Sequence, residues 1–249
     1  MKFIIGRFVK NYPFLKKCWF SFLDYFDFKY FRKYCSGYKI IPFGNHCLPR
    51  VITQVNRFKP PKRFGEESFP FDLCVSDFSI NIELLATNFK NFYDETIYDD
   101  ANKFYINNQL KMRFYHDDMP FSQFKERYNN RINNLYKILK NKELHIYFLV
   151  ASFNEISEDT IKQFIEEINC YRETSTYDLI IINQSKEVIK SKYENVHVID
   201  LTKDNLFEKI NKKGAWAGQL KYMKSISARV FNHKISSQLS KIIKWFLMF

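Results

Sequence analysis

Glycine and proline are scarce, with six and seven among 249 residues, which argues against an all-β sandwich built on many tight turns. No stretch of eighteen residues is free of charge, so no transmembrane helix is expected. At the amino terminus Arg7 and Lys10 interrupt the apolar run before it reaches signal-peptide length, and a cytoplasmic location is expected. Glycine-rich phosphate loops of the GxGxxG and GKS/GKT types are absent, and no cofactor is expected. The five cysteines (Cys18, Cys35, Cys47, Cys74, Cys170) contain no CxxC pair and no zinc-finger spacing. They are expected as free thiols, with Cys74 and Cys170 in apolar settings that suggest core packing.

Aromatic residues, by contrast, are abundant, with 27 Phe and 16 Tyr, and the chain is 46% hydrophobic. That load is enough to bury a sizeable core and excludes disorder over most of the length. The net charge of +12 is unevenly spread. Residues 1–38 carry +6 and residues 212–249 carry +8, whereas 39–211 carry −2. The chain therefore divides into a basic aromatic amino-terminal helical segment (1–38), a near-neutral centre (39–211) and a basic amphipathic carboxy-terminal helix (212–249). In the last segment Leu220, Met223, Ile226, Val230, Phe231, Ile235, Leu239, Ile242, Ile243 and Phe246 recur at helical steps, with most lysines off that stripe. Such a helix suits an anionic membrane surface. Plain packing on the core is the alternative. Nucleic acid is the least favoured partner, because the centre offers no continuous basic groove.

In the centre, Tyr38–Phe43 reads as a strand, Gly44-Asn45-His46 as a turn, and Cys47 to about Asn56 as a helix that tolerates Pro49 in its first turn. A helix is expected near 78–88, and 92–115 has room for two short strands. A helix carrying Phe124, Tyr128, Ile132, Leu135, Tyr136 and Leu139 leads into an apolar strand at Leu144–Ala151. A helix at about Glu158–Tyr171 and strands at Tyr177–Asn183 and Val196–Leu201 follow. The near-continuous apolar strands predict a mostly parallel sheet covered on both faces, hence a three-layer α/β domain.

A cysteine that follows a strand and a glycine turn and opens a helix meets unpaired backbone amides and a partial positive charge. Those amides can stabilise a thiolate or an oxyanion. Cys47 is the one cysteine so placed, and Gly44 and Asn45 form its turn. Its structural alternative is a small buried hydrophobe. For the base, His116 closes a strand-like run and precedes Asp117-Asp118, acids that can orient an imidazole. His145 and His197 lie inside strand patterns and read as satisfied core residues. Asp72, between Phe71 and Leu73, is a carboxylate whose burial requires a partner, either backbone amides near Gly44–Cys47 or an arginine. Asp99-Asp100 and Asp117-Asp118 are read as solvated turns, and no metal site is expected.

The ordered set Gly44-x-x-Cys47, Ser68-Phe69-Pro70-Phe71-Asp72, Phe114-Tyr115-His116-Asp117-Asp118 and Phe124-x-x-Arg127-Tyr128-x-x-Arg131-Ile132 resembles a bacterial family of unknown function catalogued with the papain-like cysteine peptidases. The resemblance spans about 38–218 and implies Cys47 as nucleophile and His116 as its partner, with Asp117 or Asp72 orienting the imidazole. Leu73 stands where that pattern often has Trp, and a parallel sheet departs from papain's antiparallel half-barrel. The reading is a cysteine-dependent hydrolase or acyl/amide transferase acting on a small-molecule, glycan or peptide substrate, in surface-glycan or lipid-linked metabolism. The alternatives are a catalytically inactive peripheral membrane or scaffold protein, and a relative of the SGNH-type esterases.

Overall fold

The computed structural model describes residues 37–55, 67–185 and 187–200, the side chains of Gln54 and Val55 excepted. The expected terminal helices, at 1–38 and 212–249, lie outside these residues apart from the last two positions of the first.

Four strands form a parallel sheet. β1 (Tyr38–Pro42) pairs with β5 (His145–Ser152), β5 with β6 (Tyr177–Asn183), and β6 with β7 (Val196–Asp200). Every residue of β6 is buried, and β5 is buried from Phe148 onward, which accounts for their uninterrupted apolar composition. Register aligns Ile41, Phe148, Leu179 and Val196 in one row that belongs to the main core. The neighbouring row, Pro42, Leu149, Ile180 and His197, faces the other side, and Leu149 and Ile180 are buried there too. On that second face His145 Nε2 and His197 Nε2 each lie 2.9 Å from a carboxylate oxygen of Asp178, so both histidines have a partner. The chain is an α/β protein.

Between β1 and β5 run α1 (Leu48–Val55), α2 (Phe78–Ala86), a small antiparallel sheet and α3 (Phe121–Lys140). The small sheet has three strands, β2 (Thr96–Asp99), β3 (Phe104–Asn107) and β4 (Met112–Phe114), where the sequence suggested two. The extra strand is short and none of its residues is fully buried, so it leaves little hydrophobic pattern. Its neighbours pack inward through Tyr105, Met112 and Phe114 against Phe124 and Tyr128 of α3, joining the two sheets in one core.

Phe43, just past β1, stands at the centre of that core. Its ring meets Phe71, Phe78, Phe148 and Phe164 edge-on at 5.0–5.9 Å, an arrangement that suits the aromatic quadrupole. α4 (Glu158–Asn169) contributes Ile161, Phe164, Ile165 and Ile168 and is capped by Ser157, whose Oγ accepts from Thr160 N. Cys170 falls off this stripe at the helix end and is exposed, so the core position expected for it is corrected; Cys74 is buried. Arg172 is buried and donates to the carbonyls of Ile138, Leu139, Asn141 and Leu144. It thereby closes the carboxy-terminal end of α3, whose last carbonyls have no partner within the helix.

Among the described residues no helix is long and apolar enough to cross a membrane.

Candidate functional site

In an open parallel sheet, ligands sit beyond the carboxyl ends of the strands, where loops and helix amino termini converge. Here that edge is formed by the segment after β1 (Phe43–Cys47), the last residue of β5 with the segment after it (Ser152–Ile156) and the segment after β6 (Gln184, Ser185).

The β1 turn depends on Gly44. Its φ is +124°, and a Cβ there would lie 2.3 Å from Asn81 Nδ2. Both facts demand glycine. Asn81, fully buried on α2, fixes the turn by donating to Phe43 O at 3.0 Å while accepting from Ser76 Oγ at 2.7 Å. Asn45 follows and donates from Nδ2 to Ser152 Oγ at 2.7 Å. Ser152 Oγ in turn donates to Asn154 O, so its one proton is spent and the Asn45 amide must be oriented with nitrogen toward it. Asn45 Oδ1 is left buried without a partner.

His46 comes next. Its Nδ1 accepts from Leu48 N at 3.1 Å, which leaves Nε2 as the protonated nitrogen, donating to Gln184 Oε1 at 3.2 Å. The ring stacks on Phe153 at 4.6 Å. Burial lowers its pKa to about 4, against a smaller opposing effect of the Gln184 bond, so His46 is neutral at pH 7.

Cys47 immediately precedes α1, and its carbonyl accepts the bond from Val51 N at 3.0 Å. The thiol is half-buried, and that burial raises its pKa, with its own backbone amide acting weakly the other way. The expected lowering by the helix terminus is therefore outweighed by desolvation. Of the amides expected to stabilise an oxyanion, that of Leu48 is taken by His46, and Pro49 has none.

His116 is exposed on the turn after β4, and among the described residues no hydrogen bond joins it to Cys47 or to a carboxylate. Asp117 turns the other way. It is fully buried and accepts from Arg127 Nη1 at 2.6 Å and from Tyr128 Oη at 2.8 Å, with Arg131 Nη1 at 3.9 Å. Two guanidinium groups and a phenol on α3 thus hold the carboxylate that sequence reasoning assigned to orienting His116. Asp72 is likewise committed elsewhere, accepting from Arg50 Nη1 at 2.9 Å with both side chains buried. The arginine partner expected for it is Arg50 of α1. Asp99 accepts from Ala101 N and Asn102 N in a turn, and Asp118 accepts from Tyr98 Oη. No group of three or more His, Cys, Asp or Glu side chains suited to a metal ion occurs among the described residues.

A cavity of about 200 Å³ opens on the same edge, lined by Asn45, Asp77, Phe78, Ser79, Ser152, Asn154, Glu155, Ile156 and Thr160. It lies between the ends of β1 and β5 and the amino termini of α2 and α4, and Cys47 is not part of its wall. Ser152, Asn154, Asp77 and Gln184 were missed in the sequence. Their signal was positional: Ser152 ends β5, Asn154 lies two residues beyond it, Gln184 follows directly on β6, and Asp77 precedes the first residue of a helix.

Comparison with protein-family models, with curated proteins and with solved structures finds no match to this chain.

Proposed function

We propose that this chain is a hydrolase or acyl transferase that works at the carboxyl edge of its parallel sheet, with Cys47 as nucleophile. The observation that supports this reading is the position of Cys47, half-buried at the start of α1 directly beyond the glycine turn that ends β1. The resting thiol is protonated, because burial opposes its charge. Attack on a carbonyl therefore begins with transfer of the thiol proton to a base, for which His116 is the candidate. The S–C bond forms as the bond to the leaving group breaks, and the proton passes to the leaving group. Water or a second acceptor then cleaves the thioester and restores the thiol.

A second reading, a non-catalytic protein on the same scaffold, is favoured by the raised thiol and by the engagement of Asp117 with Arg127 and Tyr128. Reaction with p-nitrophenyl esters of increasing acyl length separates the two. An initial burst of p-nitrophenol, lost in Cys47→Ser and slowed at least ~100-fold in His116→Ala, supports the enzyme. Equal release by the parent and Cys47→Ser supports the second reading.

A further inference from the structure

The two faces of the parallel sheet are covered unequally by the described elements. One face lies under α2, α3, α4 and the small sheet, in the main core. On the other, α1 packs against β1 and β5. Its Leu48 and Ile52 are buried outside the main core, as are Ile40 and Leu149 of those strands. β6 and β7 lie beyond that pair and present Asp178, Ile180, Ile182, His197 and Ile199 on the same face. Ile180 and Ile182 are 5% and 0% exposed, and neither belongs to the main core. Such burial requires an apolar layer over β6 and β7, because a parallel sheet is covered on both faces. Among the described residues α1 is the one helix on this face, and it sits over the other two strands.

Connectivity, length and charge select the layer. Residues 1–36 join the sheet at β1, the far edge, where α1 already lies. Residues 56–66 are rich in lysine, arginine and proline and carry no apolar stripe. Residues 201–249 continue directly from β7, the edge strand of the half that α1 leaves open. In parallel sheets the chain that leaves a strand returns as a helix over the sheet, and Leu220 to Phe246 repeat apolar residues at helical steps. The seven residues of β6 span about 23 Å. A helix covers that distance in about 15 residues, fewer than the stripe contains. Charge agrees with this placement. β6 and β7 carry Asp178 and Asp200 and no lysine or arginine, whereas 212–249 carries eight basic residues and no acid.

We propose that residues 212–249 pack their apolar stripe on the second face of the sheet, over β6 and β7, as the third layer of the same molecule, with their lysines left outside. A bilayer and the sheet compete for the same apolar side chains, and an interfacial helix needs those side chains in the lipid. Seated on the sheet, the segment has none to insert. The proposal does not rest on Cys47.

The test uses the full chain with p-benzoylphenylalanine in place of Ile235 or Leu239. Irradiation should join these positions, within one molecule, to peptides holding 178–182 or 196–200, as read by mass spectrometry. The same group in place of Lys241 or Lys244, off the stripe, should not do so. Without lipid, Ile235→Lys and Leu239→Lys should each lower the melting temperature by at least about 5 °C. Ile235→Ala, which keeps the fold should the lysine variants lose it, should lower it by less. Lys241→Gln and Lys244→Gln should stay within about 2 °C of the parent. Unchanged melting temperatures in the stripe variants overturn the proposal, and so do cross-links confined to a second copy or to α2, α3 and α4. Ile235→Lys that melts like the parent but no longer co-sediments with phosphatidylserine–phosphatidylcholine vesicles also overturns it, and assigns the stripe to a bilayer.

Discussion

Arg50 Nη1 donates to Asp72 Oδ2 at 2.9 Å, with the two side chains 4% and 1% exposed. The pair ties α1, which follows Cys47, to the segment that carries Phe69 and Phe71 into the core. Removing one member of such a pair leaves the other charge buried, a loss of about 3–5 kcal/mol. Asp72→Ala and Arg50→Ala should each lower stability by that amount in urea unfolding. The double variant Arg50→Met with Asp72→Leu should lose less than either single one. A parent-like midpoint for Asp72→Ala would contradict the burial of this pair.

Gly44 sets the direction in which Asn45, His46 and Cys47 leave the sheet. With φ at +124° and Asn81 Nδ2 only 2.3 Å from a Cβ, Gly44→Ala must displace Asn81 or the turn. The dihedral alone contributes about 1–3 kcal/mol of strain. The variant should therefore be destabilised by at least that amount, while Gly37→Ala, with no heavy atom within 4 Å of its Cβ, should not be. Equal stability of the two variants would contradict this account of the turn.

His46 makes folding sensitive to acid. Its pKa is about 4 in the folded protein against 6.5 as the ordinary value, because burial disfavours the imidazolium. Between those values the unfolded chain binds more protons than the folded one. The stability associated with neutral His46 is thus complete above pH 6.5 and is lost progressively as pH falls toward 4, by roughly 3 kcal/mol in all. In His46→Asn this part of the pH profile should flatten, as measured by urea midpoints at half-unit steps. An unchanged slope between pH 6.5 and 4 would show that other groups account for the acid sensitivity.

Most of the α/β framework was legible in the sequence because its strands and helices carry their own patterns. The run Leu179-Ile180-Ile181-Ile182 is buried in the sheet, and the stripe of α4 faces the core. β2 was not legible, since Thr96–Asp99 is short and only partly buried. Arg172 also gave no signal: it closes the end of a helix more than thirty residues earlier in the chain, a relation that exists only in three dimensions. At the site, the glycine turn and Cys47 could be read from local order. The engagement of Asp117 by α3 could not, although Arg127, Tyr128 and Arg131 stand at steps of one, three and four on that helix. The same is true of the cavity, whose mostly polar wall comes from four separate segments with no shared periodicity.

The central claim, that Cys47 is an acyl acceptor, is tested most directly against Cys170, an exposed free thiol in the same molecule. Peptide mass spectrometry after partial reaction measures both rates at once. Because burial raises the Cys47 thiol and half-covers it, iodoacetamide at pH 7 should alkylate Cys170 first. Toward p-nitrophenyl esters the order should reverse, with the acyl group on Cys47 and that preference lost in His116→Ala. Cys170 leading with both reagents would contradict a nucleophilic role for Cys47.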